Sequence, residues 1–188
     1  MLDTAQRLLE EDGAAALSVR RLAKELGTSY QLVYTLFGGK QGLLDALFQR
    51  GFERLEASCR AIPETDSPAN DLARFASAYR DFALANRELY GVMFGREAGF
   101  EPSVESLRVA LESLSVVNEC AARAFDGSPA AQRHFADAQS LSRAAWSATH
   151  GHVAFEIASW FGSDRDAAAR LEDTVRALVG EPPPQADS

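Results

Sequence analysis

From Leu2 to Leu178 the apolar residues return at every third or fourth position, and no stretch alternates apolar with polar between hairpin signals. That period admits helices and excludes a half-buried sheet, whose strands must repeat every second residue. The chain is therefore expected to be all-α. A first helix is predicted over residues 2–12, with Ala5, Leu8 and Leu9 inward and Gly13 as its stop. Ser18 stands where it caps a second helix with Val19, Leu22, Ala23 and Leu26 on its inner side, and Gly27 supplies a left-handed exit. Ser29 caps a third, which Gly38 and Gly39 end. A fourth runs over residues 40–61 with Leu44, Phe48, Phe52, Leu55 and Cys59 in one stripe, closed by Pro63.

The polar connection "IPETDSP" introduces a larger second part. A fifth helix over residues 69–85 lines up Leu72, Phe75, Tyr79, Phe82 and Asn86, and "RELYGVMF" is a short sixth. One seventh helix over 103–125 is expected to bury Leu107, Leu111, Leu114, Asn118, Ala121 and Phe125. An eighth over 129–161 aligns Trp146, His150, Val153, Ile157 and Trp160, bent or broken near its start and at Gly151. A ninth covers 164–179, and the tail "EPPPQADS" has the composition of a disordered segment.

The second and third helices are short and joined by a glycine turn, with the first packing across both, which is the helix-turn-helix arrangement. Its second helix enters the major groove and meets base edges with its N-terminal residues. The pattern predicts that Leu32, Val33, Leu36 and Phe37 are hidden while Tyr30, Gln31, Tyr34 and Thr35 face outward. Gln31 suits an adenine edge, Tyr30 or Thr35 a thymine methyl, and the Tyr34 hydroxyl a phosphate. The amide ends at Ser18 and Ser29, with Arg20, Arg21 and Lys40, suit the phosphate backbone, which positions without reading sequence. No Arg or Lys lies between Ser29 and Phe37, so readout is expected to be partly apolar or water-assisted. The other reading of the same spacing is a three-helix fragment of an ordinary bundle, with Tyr30 and Tyr34 buried.

The net charge of -8 argues against a phosphate partner for the chain as a whole. Its distribution does not. Residues 1–50 hold six basic and six acidic side chains, and from Ser18 to Arg50 five bases face only Glu25 and Asp45. Cys59 and Cys120 sit in helical stripes without a CxxC partner and read as core thiols. His150 and His152 face different sides of a helix, and neither Glu156 nor His134 completes a metal set with them. No nucleophile motif, phosphate loop or carboxylate pair suggests an enzyme, and no metal or cofactor is expected. Without a signal segment or an apolar run near the roughly 18 to 20 residues of a membrane span, a cytoplasmic protein with no membrane contact is the expectation.

The stretch "LSVRRLAKELGTSYQLVYTLFGGKQGLLDALF" resembles the signature of TetR-type (tetracycline-repressor-like) transcriptional regulators, with Ser18, Leu22, Ala23, Gly27, Ser29, Tyr34, Phe37, Lys40, Leu43 and Leu44 in register. "AAWSATHGHVAFE" is similar to the body domain named WHG in that family, through Trp146, His150 and Gly151. The resemblance implies a DNA-binding head and a ligand-binding, dimer-forming body. Three departures stand out. Met1 begins almost at the first helix, where members carry a basic arm, which implies a truncated start or a lower affinity. Leu36 replaces a frequent polar residue, and Gln31 replaces a common small one, which makes Gln31 a specificity candidate.

Tyr79, Asn118 and His150 are polar residues within apolar stripes and must be hydrogen-bonded if buried. Either they bond to one another in a closed core or they orient a ligand in a cavity. The resemblance favours a mostly apolar small-molecule effector walled by Phe75, Tyr79, Phe82, Met93, Phe94, Asn118 and Trp146, with His150 at the ligand or linking helices. A homodimer through the eighth and ninth helices is expected, with Ala144, Ala148, Ala158, Phe155, Leu171, Val175 and Leu178 at the interface. The expected organisation is a head at 1–47, a ligand-binding and dimerisation domain at 48–180 and a tail at 181–188. The expected function is a regulator, a repressor released from a palindromic double-stranded operator by the effector. The alternative is a helical protein-interaction module without DNA binding.

Overall fold

The computed structural model describes residues 1–95, 99–161 and 166–181. Among these residues every regular element is a helix: α1 Leu2–Ala16, α2 Val19–Glu25, α3 Tyr30–Phe37, α4 Lys40–Arg60, α5 Pro68–Ala85, α6 Arg87–Phe94, α7 Val104–Ser113, α8 Ser115–Asp126, α9 Pro129–His134, α10 Ala138–Ile157 and α11 Ala167–Leu178. They form two compact units, one of residues 1–55 and 86–113 and the other of residues 56–85 and 114–188. All but residue 181 of the expected tail lies outside the described residues.

In the first unit α1 packs on α2 and α6, and α2 on α3. Gly13 does not stop α1 as expected; it kinks the helix at φ 75°, and helical turns resume after it. The start of α6 has no capping bond of its own, since the Asn86 side chain instead accepts from Gln6 Nε2 at 3.2 Å. Glu10 of α1 supplies the missing acceptor to the amides of Glu88 and Leu89, at 3.3 and 3.1 Å. Two glycines of α4 permit close approach. A Cβ on Gly42 would lie 1.8 Å from the Phe37 carbonyl oxygen, and one on Gly51 would lie 2.5 Å from Met93 Sδ.

The second unit is built on small residues. Ala69, Ala73 and Ala76 of α5, Ala121 and Ala124 of α8, and Ala145 of α10 bring these helices close around Leu72, Leu141, Leu171 and Val175. Arg80 of α5 pairs with Glu156 of α10 through Nε at 2.7 Å, and Ser77 donates to Glu172 of α11 at 2.6 Å.

Three expectations are corrected. The single helix over 103–125 is two, α7 and α8, parted at Leu114. The buried line along them is Ser106, Ala110, Ser113, Val117, Ala121 and Ala124, while Leu107, Leu111 and Asn118 are exposed. The helix over 129–161 is broken near its start, at Phe135, as expected, but it runs unbroken through Gly151 and leaves Trp160 outside. Leu171 and Val175 are fully buried in their own unit, so they are not free to form an interface.

Candidate nucleic-acid interface

The turn geometry expected for the head is present. Ser18 accepts from the Arg21 amide and Ser29 from the Leu32 amide, each at 3.2 Å, so both helices begin on a side-chain cap. Gly27 and Gly38 leave them at φ 62° and 68°, in the left-handed region that glycine adopts without penalty. Neither helix can lengthen past these points, and α3 is held at eight residues.

Four of the nine residues assigned to DNA come together in one shallow groove. Ser18, Arg20, Tyr30 and Lys40 line it with Val19 and Gly39. Lys40 Nζ donates to the Ala15 carbonyl at 3.2 Å, which holds the ammonium over the end of α1. Arg20 is exposed and enters no ion pair among the described residues. Arg21 is paired with Asp12, and Arg7 bridges Glu11 and Glu25, so Arg20 and Lys40 carry the positive potential of this face.

On α3 the Tyr30 and Tyr34 rings stack with centroids 5.6 Å apart and are 47% and 44% exposed. The bundle-fragment reading, which needed both buried, does not hold. Gln31 and Thr35 are exposed, with the Thr35 hydroxyl returning to the Gln31 carbonyl at 2.8 Å. The expectation that four apolar residues are hidden is corrected: only Val33 is buried and Phe37 half-buried, while Leu32 and Leu36 are 46% and 58% exposed. A helix turns by about 100° per residue. Thr35 therefore lies opposite the Val33–Phe37 pair, with Gln31 and Leu32 beside it, the tyrosines along one flank and Leu36 along the other.

The residues assigned to a ligand are distributed over both units. Met93 and Phe94 belong to the first, where Phe94 packs edge-on to Phe52 at 5.2 Å. In the second, Phe75, Tyr79 and Phe82 are buried, Trp146 and His150 half-buried and Asn118 exposed. The polar groups bond to one another: Tyr79 Oη lies 3.0 Å from His150 Nδ1, and Asn118 Oδ1 accepts from Ser142 at 2.7 Å. Burial lowers the His150 pKa, so the imidazole is held neutral.

Sequence reasoning missed a cleft of about 220 Å³ in the second unit, lined by Cys59, Arg60, Asp71, Phe75, Val116, Glu119, Cys120 and Arg123 among others. Phe75 alone of the assigned ligand residues faces it. Burial pushes the Asp71 carboxyl up, but the Thr65 amide and hydroxyl, at 2.8 and 2.7 Å, and Arg123, at 2.8 Å, outweigh it and hold the group below its ordinary range. Burial raises the Cys59 thiol to about 12 and the Cys120 thiol to about 11, so both are protonated near neutrality. The signal in the sequence was the pair of cysteines, each one turn from a charged residue, but their meeting is long-range. Among the described residues no helix is long and apolar enough to cross a membrane.

Comparison with known proteins accords with this geometry. Residues 1–47 match the family described as bacterial regulatory proteins, tetR family, and residues 72–178 match the tetracyclin repressor-like C-terminal domain. HTH-type transcriptional regulators of Mycobacterium tuberculosis and Mycobacterium bovis are 30% identical over 98 residues, half of this chain and 42% of theirs. The chain thus spans less than half the length of the curated relatives it matches. Among solved structures, a Rhodococcus sp. RHA1 protein of unknown function is 29% identical over 96% of this chain and 93% of its own, with a TM-score of 0.79. The TetR family transcriptional regulator PfmR from Thermus thermophilus shares the fold at 21% identity, over 95% of this chain and 96% of its own, with a TM-score of 0.65. With the two matches together covering most of its length, the chain belongs to the TetR family of bacterial regulatory proteins.

Proposed function

We propose that the protein is a ligand-responsive repressor that binds a palindromic operator as a homodimer and leaves it when a small molecule enters the body. The observation that carries the reading is the groove in which Ser18, Arg20, Tyr30 and Lys40 meet beside a capped, uncharged α3. Cations at its edge suit phosphates, and the residues of α3 suit bases. Residues 1–47 form the head in this reading and residues 48–180 the effector and dimer domain. One short helix reads too few bases for useful specificity, so twofold pairing on two half-sites is required.

For the effector, the assigned Phe75, Tyr79, Phe82, Asn118, Trp146 and His150 of the second unit remain the proposed contacts, joined by the other residues of the cleft at Cys59 and Cys120. An effector that binds the non-reading conformation more tightly lowers operator affinity by that difference. For the dimer, the small residues Ala144, Ala148 and Ala158 and the exposed Phe155 of the α10 region support pairing there, together with Leu178 of α11. A location in the cytoplasm follows from a role on DNA.

The test is titration of duplex DNA from around the protein's own gene, at several salt concentrations, followed by a compound library added to the complex. Binding that falls steeply with salt, and a compound that releases it, are the expected results. No binding at low salt leaves the alternative, a helical protein-interaction module. Phe155→Glu is expected to yield monomers in sedimentation and to weaken operator binding.

A further inference from the structure

Leu32 and Leu36 are the two residues of α3 that break the rule placing leucine inside. Each stands about half in solvent on an eight-residue helix that has no charged side chain, next to a groove whose cations are Arg20 and Lys40. The residue at the outward pole, Thr35, ends in a methyl group and directs its hydroxyl to the Gln31 carbonyl, so it too presents a mainly apolar surface. The outward ridge of α3 is thus a leucine flank, a methyl-bearing crest and a tyrosine flank, with the amide of Gln31 beside the crest.

Resting on the DNA-binding reading of this helix, we propose that Leu32 and Leu36 are base-reading residues whose ligands are the C5-methyl groups of thymines in the major groove. The thymine methyl is the apolar feature of the major-groove edge, and side chains that cannot donate or accept distinguish bases there only through it. The leucine flank lies on the side of the helix away from the tyrosines, of which Tyr30 belongs to the phosphate groove. The charged edge therefore fixes the helix on the backbone while the leucines close over methyl groups, removing apolar surface from water on both partners. The half-site is accordingly expected to carry thymines beside the adenine that Gln31 suits, and to lack the guanine that an Arg or Lys on α3 would select.

Binding-site selection from randomised duplexes with the full chain supplies the site, after which each thymine is replaced by deoxyuridine, which deletes the methyl and leaves the pairing edge intact. Wild-type affinity is expected to fall about three- to five-fold at one or two positions per half-site, the size of one lost buried methyl. In Leu32→Ala and Leu36→Ala, each losing its own position, that fall is expected to vanish. Deoxyuridine that is neutral at every position of a specifically bound site overturns the proposal and leaves DNA binding standing. So does an unchanged penalty in both leucine variants. If the variants alter only self-association in sedimentation, the flank belongs to a second copy of the chain and the proposal falls. If no duplex is selected, the DNA-binding reading falls first and carries this one with it.

Discussion

Helices α3 and α5 owe their existence to different causes. The eight residues of α3 bury Val33 alone, and the helix is defined at its ends by the Ser29 cap and the left-handed Gly38. The eighteen residues of α5 bury Ala69, Leu72, Ala73, Phe75, Ala76, Tyr79, Phe82, Ala83 and even Asp71, and its neighbours α8, α10 and α11 define it. An isolated helix of eight residues is unstable in water, so α3 depends on its caps and one anchor. A surface meant for another molecule must be left bare, and the caps make that affordable in stability. The same contrast orders the consequences of mutation.

The largest effect belongs to the helix defined by burial. Leu72 is 1% exposed among alanines that have no freedom to fill a void. Leu72→Ala is expected to cost about 3 kcal/mol, within the usual span of core leucine truncations. Urea unfolding checks this, and a loss below about 1 kcal/mol would mean that the alanine-lined core collapses onto the gap.

Next comes the junction that aims α3. A Cβ at Gly42 would meet the Phe37 carbonyl at 1.8 Å, and this obstacle is backbone. Gly42→Ala must therefore move the end of α3 or the start of α4, at an expected cost of about 1–3 kcal/mol. Operator affinity should fall more than stability does, since the shift re-aims the reading helix. Equal affinity in the variant would show that the junction yields without moving α3.

Which of these features can be read from the chain follows from the range of the interactions. The caps at Ser18 and Ser29 and the exits at Gly27 and Gly38 are local chemistry, and the structure has them where the sequence predicts. The break at Leu114 is different: it carries no glycine, proline or capping side chain, so nothing in the local pattern marks it. The buried line of α7 and α8 runs through Ser106, Ala110 and Ser113, small residues to which hydropathy assigns little weight, while the stronger signals Leu107 and Leu111 point outward. Leu32 and Leu36 mislead for the opposite reason. Periodicity assumes a neighbour on the apolar side, and α3 is too short and too sparsely covered to have one there. The cleft at Cys59 and Cys120 joins segments about sixty residues apart, so the two cysteines and their charged neighbours are visible in the chain but their meeting is not.

Removing the cap tests the other half of the contrast. Ser29→Ala deletes the acceptor of the Leu32 amide and is expected to cost about 1 kcal/mol, with Ser29→Asn restoring most of it. Hydrogen exchange is the sharper readout, because protection should be lost in α3 while α5 keeps its own. Uniform loss through both helices would show that α3 is not a separately stabilised element.

A pH titration acts on the second unit. Burial lowers the folded-state pKa of His150, so the unfolded chain takes up its proton first as pH falls. The stability of the neutral Tyr79–His150 contact is present above the ordinary histidine range and lost on acidification below it. The thermal midpoint is expected to decline from about pH 7 toward pH 5, in a range where carboxylates contribute less. The decline should be shallower in His150→Gln. An identical pH profile for the variant would assign the effect elsewhere.

The smallest effect on stability is expected where the effect on function is greatest. Leu32 and Leu36 lose little packing on truncation, and alanine has the better helix propensity, so Leu32→Ala and Leu36→Ala should each leave stability within about 0.5 kcal/mol of wild type. Val33→Ala, one residue away and fully buried, should be the more destabilising change and should weaken DNA binding only through folding. Thermal melts and operator titrations on the three variants place them in two classes, one losing stability and the other losing affinity. If Leu32→Ala instead melts as early as Val33→Ala, the leucine is packed in solution. The bare ridge on α3, and with it the distinction between a helix held by its ends and one held by its core, would then have to be given up.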